Sequence, residues 1–204
     1  LAATGKIIVT NLQIIRVKGR EIEPYLNELA ALRINIFRDY PYLYVGDMDY
    51  EKEYLNTYLS CPESTMIIVL DNGKVVGAST AIPMQFETDE FKTPFIKHDM
   101  NVDEVFYFGE SVLLSEYRGK NIYREFFKGR EAAAREFGSR ITTFCAVDRD
   151  ENDSRKPQGY KPLDVVWSHF GYTKHPELYA HFSWKEIGET KETPKRLTFW
   201  MKTL

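Results

Sequence analysis

The strongest constraint on the fold is the uninterrupted passage 106–138. Phe106, Phe108, Val112, Leu113 and Leu114 make an apolar run of strand length that carries Glu110 and Ser111 within it. Ser115, Glu116, Tyr117, Arg118, Gly119, Lys120 and Asn121 follow as a polar turn. Beyond the turn, Ile122, Phe126, Ala133 and Phe137 fall on one helical face, Glu131 and Arg135 can pair on the outside, and Gly138 supplies a stop. A buried strand that passes through a basic, glycine-containing turn into a helix gathers backbone N–H groups at a helix N-terminus. That arrangement suits a phosphate group.

The flanking sequence predicts further elements in a definite order. A strand is expected over 11–17 and a helix over 20–40, with Pro24 in its first turn and Ile22, Leu26, Leu29, Arg33, Ile36 and Phe37 at helical spacing. An aromatic loop with Tyr40, Tyr42 and Tyr44 leads to a second helix capped by Asp47 or Asp49. Strands over 66–70 and 75–82 enclose Asn72-Gly73, a pair that tolerates the positive φ angles of a two-residue hairpin. The stretch 83–101 reads as a long connection. Then come a strand over 105–114, a helix over 121–137, a strand over 141–147, a polar loop over 148–162, a short helix over 163–170, and strands over 178–187 and 197–203. No repeat or linker divides the 204 residues, so one domain with a mixed α/β sheet is expected.

Charge and composition exclude several classes of function. A formal charge of −3 gives no basic field for nucleic acid or anionic lipid, and no apolar run approaches the ~20 residues of a membrane span. Residues 1–10 lack the charged and apolar blocks of an evident signal peptide. Cys145 lies in an apolar run and reads as a small buried hydrophobe, and Cys61 precedes Pro62 at a helix end. With no motivated disulfide, a reducing, cytoplasmic setting is the expectation. His98, His169, His175 and His181 show no metal-ligand spacing, so no metal is expected.

The element order and the central unit together resemble the GNAT superfamily of acyl-CoA N-acyltransferases. The family's phosphate turn runs Gln/Arg-x-x-Gly-x-Gly/Ala, and Arg118 fills its first place here. Trp167-Ser168-His169-Phe170-Gly171-Tyr172 is similar to the aromatic-x-x-x-Gly-aromatic ending of the family's fourth helix. The matched region covers 105–172, and the remainder agrees in element order alone. Asn121 and Tyr123 depart from the pattern, standing where small residues are usual. Asn tolerates a left-handed backbone, so Asn121 can keep the turn. The Tyr123 ring either points into the core or lies against the cofactor.

The resemblance implies an α+β fold with a single mixed, mostly antiparallel sheet flanked by helices. It implies acetyl transfer from acetyl-CoA to a primary amine, on a small molecule or a peptide, by direct attack in a ternary complex. Backbone N–H groups of Gly119, Lys120, Asn121, Ile122 and Tyr123 would hold the pyrophosphate, with the Arg118 and Lys120 side chains adding charge. Backbone groups of Val112, Leu113 and Leu114 would hold the pantetheine arm and thioester, with the Leu114 N–H polarising the carbonyl. Glu110, a carboxylate among apolar neighbours, is the expected general base acting through water; its alternative is a structural bond to a backbone N–H or to Ser111. Glu104 is its substitute at the strand start. The usual thiolate acid is a helical tyrosine whose place holds Trp167; Tyr160, near in sequence, is the expected replacement, the alternative being a loop aromatic over the pocket with water as the proton source. Tyr40, Tyr42 and Tyr44 are expected to bind the amine through cation–π attraction, or else to form a hydrophobic lid or a homodimer contact. A second function class is a GNAT-fold module that binds coenzyme A without turnover, and a third option is transfer of longer acyl groups.

Overall fold

The computed structural model describes residues 12–204. The expectations for residues 1–10 and for Asn11 lie outside the described residues. A seven-stranded sheet runs in the order β1-β2-β3-β4-β5-β7-β6. Its strands are β1 (Leu12–Lys18), β2 (Thr65–Asp71), β3 (Lys74–Pro83), β4 (Val105–Leu113), β5 (Ile141–Val147), β6 (Thr173–Trp184) and β7 (Thr193–Thr203). Every neighbouring pair is antiparallel except β4–β5, which is parallel. One face carries α1 (Leu26–Phe37), α2 (Met48–Ser60) and α3 (Asp89–Ile96), and the other carries α4 (Ile122–Phe137) and α5 (Asp164–His169). The mixed, mostly antiparallel sheet matches the sequence expectation. No helix of the described residues is long and apolar enough to cross a membrane.

Local signals place most of the joints. Asn72 and Gly73 both take positive φ, 50° and 80°, and close the β2–β3 hairpin. Asp47 caps α2 by accepting from the N–H groups of Asp49 and Tyr50. Gly138 ends α4 at φ 90°. Three expectations need correction. The strands expected over 178–187 and 197–203 begin earlier, β6 at Thr173 and β7 at Thr193. The helix expected over 20–40 is split, with a 3-10 segment over Gly19–Tyr25 that contains Pro24 and an α-helix only from Leu26. The connection over 83–101 contains α3, whose Phe91 packs at a tilt against Tyr107 and Phe182 and whose Phe95 packs edge-on against Phe199. Phe91 and Phe95 lie four residues apart, so one helical turn buries both rings.

Both cysteines are free and buried. Cys145 accepts or donates a bond with the Tyr107 hydroxyl at 3.3 Å, and burial pushes its thiol up from the ordinary range.

Candidate active site

The site is a gap in the sheet. β4 and β5 pair only from Val105 to Tyr107 against Ile141 to Thr143. Beyond that point, β5 keeps its pairing with β7 and β4 keeps its pairing with β3, so the two centre strands diverge. The divergence has a local cause. The β3–β4 register shifts between Ser79↔Ser111 and Ala81↔Phe108, so Gly109 and Glu110 together oppose Thr80. An extra residue of this kind bends its strand and reverses the facing of the side chains that follow. Phe106 and Phe108 pack toward α4, whereas Tyr107 and Val112 pack toward α1 and α2. The bulge moves Glu110 onto the second of these faces.

There Arg33 of α1 meets it. The Arg33 Nη1 donates to Glu110 Oε2 at 2.5 Å, and its Nε pairs with Glu51 of α2. Tyr54 lies under the guanidinium, 4.3 Å from its carbon. Glu110 is 4% exposed, and burial pushes its carboxyl up from the carboxylate range, against the pull of Arg33. Its second oxygen, Oε1, has no hydrogen-bond partner among the described residues, and neither has Glu51 Oε1. The expected alternatives for Glu110 are not what is found: the carboxylate bonds Arg33, while the Ser111 hydroxyl bonds Ser79. Glu104 sits apart, 3.8 Å from Arg140 on the surface.

Two cavities meet at this gap. One, of about 340 Å³, is lined by Ser111, Tyr123, Arg130, Cys145, Tyr160 and Trp167 among others. The second, of about 380 Å³, is lined by Arg33, Tyr44, Tyr50, Glu51, Tyr54 and Trp184 among others. Phe37, Tyr42, Gly109, Glu110 and Cys145 line both, so the gap is a passage between the two faces of the sheet.

The aromatic loop forms part of the walls. Tyr40 lines the first cavity, Tyr44 the second, and Tyr42 both. Arg149 holds the loop in place by donating to the carbonyls of Pro41 and Tyr42, while its Nη2 pairs with buried Glu186 at 2.6 Å. Tyr44 bridges Glu186 by backbone pairing. Tyr160 packs edge-on against Tyr40, with centroids 4.7 Å apart, and burial pushes its phenol up.

The turn has the expected form. Gly119 has φ 74° with nothing within 4 Å of where a Cβ would stand, and Asn121 takes the left-handed conformation at φ 61°. No side chain caps α4, and Arg118, Gly119, Lys120 and Asn121 are exposed. The Tyr123 ring turns inward against Phe126, Phe127 and Phe170, and its hydroxyl accepts from Trp167 Nε1 at 3.0 Å. It lies on the cavity and packs on the core at once.

One backbone assignment is corrected. The Leu114 N–H donates to the Val76 carbonyl at 3.0 Å, so it is committed to β3. Partners alternate along an antiparallel ladder, so Val112 also faces β3, and Ser111 and Leu113 turn their backbone groups toward the gap. The Leu113 carbonyl accepts from Arg118 Nε at 3.4 Å on that open side. The side chains of Val112 and Leu113 are core, as is that of Ile122.

These residues fit the coenzyme that the resemblance implies. The helix start is uncapped and the turn is open and left-handed, while of residues 112–123 Tyr123 alone lines a cavity at the gap. Of the residues singled out from the sequence, Glu110, Tyr160, Tyr40, Tyr42 and Tyr123 line one cavity, whereas Val112, Leu113, Leu114, Arg118, Gly119, Lys120, Asn121 and Ile122 line neither. Sequence reasoning missed Glu51, Arg130, Arg149 and the pairing role of Arg33, although Arg33 and Arg130 both interrupt apolar helix faces and were visible as such.

No protein-family model and no curated protein matches the sequence. Solved structures do match in fold. A ribosomal-protein-alanine N-acetyltransferase from Brucella melitensis aligns at TM-score 0.60 and 14% identity, covering 94% of this chain and 99% of its own. The protein yncA from Salmonella typhimurium, solved with its cofactor acetyl-CoA, aligns at 0.57 and 12%, covering 95% and 94%. A GNAT-family structure from Desulfovibrio desulfuricans aligns at 0.56 and 9%, covering 94% and 98%.

Proposed function

Because this chain has the fold of the GNAT acyltransferases, we propose that it moves an acetyl group from acetyl-CoA to a primary amine by direct attack in a ternary complex. The observation that carries the reading is the passage between β4 and β5, with Glu110 buried where the two cavities join. Bound acetyl-CoA would supply an activated acyl carbonyl. N–H groups of residues 119–123 would hold its phosphates, with Arg118 and Lys120 adding charge, and Ser111 and Leu113 would meet its arm. The free N–H of Leu113 replaces that of Leu114 as the donor aimed at the carbonyl oxygen.

The amine enters from the second cavity. Tyr44, Tyr50 and Tyr54 offer aromatic faces there, and Asp47, Glu51 and Glu192 offer negative charge. Glu110 takes the proton that the amine sheds. This requires its carboxylate form, so the rate rises with pH through its raised pKa. Tyr160 holds the proton for the departing sulfur, from its place on the first cavity.

A second reading is a module that binds coenzyme A without turnover, favoured by the Tyr123 ring and its bond to Trp167 beside the arm's path. Calorimetry with acetyl-CoA, followed by thiol release over a panel of primary amines, separates the two. Binding with turnover on at least one amine supports the enzyme, and binding without turnover on any amine supports the module. Absence of binding overturns both. In the enzyme, Glu110→Gln lowers turnover about 100-fold with coenzyme affinity intact; undiminished turnover removes Glu110 from the chemistry.

A further inference from the structure

Arg130 stands midway along α4 and is 2% exposed. Its Nε–H donates to the Phe126 carbonyl of the preceding turn at 3.2 Å. Its guanidinium carbon lies 4.4 Å from the centroid of Phe108 and 4.9 Å from that of Phe127. The two rings pack against the guanidinium, and the edge bearing both Nη groups makes no hydrogen bond or ion pair among the described residues. Arg33 and Arg149, the other arginines at the gap, are each paired with buried glutamates. Arg130 lines the first cavity without such a partner.

An unpaired buried cation is a standing cost to the fold, and burial pulls the Arg130 pKa below its ordinary value. The Glu110 charge acts on Arg130 from a distance, but its hydrogen bond and ion pair go to Arg33. A planar fork of free N–H groups in an aromatic-walled, low-dielectric cavity matches a carboxylate, which accepts two parallel bonds.

We infer that the β4–β5 cavity receives a carboxylate of the substrate and that Arg130 is the residue that binds it. The carboxylate has two sources under the acyl-CoA reading, on which this inference rests. It belongs to the acyl half, as the monothioester of a short dicarboxylic acid, or to the amine half, as an amino acid.

Calorimetry distinguishes the sources without requiring turnover. The acyl arm compares coenzyme A, acetyl-CoA and succinyl-CoA. The amine arm compares phenylalanine with phenethylamine on the protein saturated with coenzyme A. The wild type is expected to prefer the carboxylate-bearing member of one arm by roughly 10- to 100-fold. Arg130→Met is expected to abolish that preference and to leave coenzyme A affinity unchanged. Arg130→Lys, which keeps charge without the fork, retains only part of the preference and serves if the methionine variant does not fold. No preference on either arm, or a variant that weakens every ligand equally, overturns the inference. Failure of the wild type to bind coenzyme A overturns the acyl-CoA reading and this inference with it. Coenzyme A binding without carboxylate preference overturns this inference alone.

Discussion

Gly109 lies directly against the hydroxyl of Tyr58, and a Cβ at 109 would overlap that oxygen and the Thr80 hydroxyl. The strand bulge that opens the sheet is thus tied to a tyrosine buried in α2. Tyr58 also donates to Glu87 Oε1 at 3.3 Å and contacts the Tyr54 hydroxyl at 3.3 Å. Backbone shape at the gap and the polar cluster beneath it form one packed unit.

Gly109→Ala should therefore destabilise the protein by about 1–3 kcal/mol, since neither neighbour has space to yield. Tyr58→Phe in the same chain removes the overlapping oxygen and should recover part of the loss. Urea unfolding of the single and double variants measures both, and simple additivity would break the link between the two residues.

Arg33→Met leaves Glu51 and Glu110 buried without a cation. Removing one partner from such a pair costs about 3–5 kcal/mol, much more than a surface ion pair would. Denaturant midpoints at neutral pH read the loss. The deficit should shrink on acidification, as the Glu110 carboxyl, already pushed up by burial, takes up a proton. A pH-independent deficit would mean that the lost packing of Arg33 on Tyr54 dominates instead.

Glu87 gives the fold a pH dependence of its own. Burial pushes its carboxyl up to about 7, against bonds from the Thr88 N–H and the Tyr58 hydroxyl. In the unfolded chain the group titrates at an ordinary carboxylate value of roughly 4.3. Between these values the folded state holds a proton that the unfolded state lacks, so stability falls as pH rises. The contribution is complete below the unfolded value and is lost as pH passes through about 7. The slope in that window is at most ~1.4 kcal/mol per pH unit. Glu87→Gln should flatten unfolding midpoints measured across it.

Asn121 holds φ 61° at the start of α4. Asn121→Gly should leave stability and coenzyme affinity nearly unchanged, because glycine adopts this conformation freely. Asn121→Val should cost about 1–2 kcal/mol and weaken coenzyme binding, since a β-branched residue is poorly suited to it. Thermal unfolding and calorimetry on the pair check both halves of the expectation.

The sequence alone determined the features whose physics is local. A left-handed Asn121, the Asn72-Gly73 hairpin, an aspartate cap on α2 and the Gly138 stop each follow from what a few neighbouring residues permit. The strand-turn-helix unit and the order of the elements were legible for the same reason, and with them the fold. The short α3 was not, because Pro94 and polar residues masked a single turn of buried aromatics. Tertiary structure decided the facing of Glu110 and the backbone direction of Leu113 and Leu114. A strand's side-chain and hydrogen-bond parity depends on its pairing partner, and one extra residue opposite Thr80 reverses it. Tertiary structure also decided which buried charges are matched. Arg33 finds Glu110 across 77 positions of sequence, whereas Arg130 finds no carboxylate among the described residues. Spacing along the chain carries no record of such distant pairings, because they arise only when helices and sheet pack.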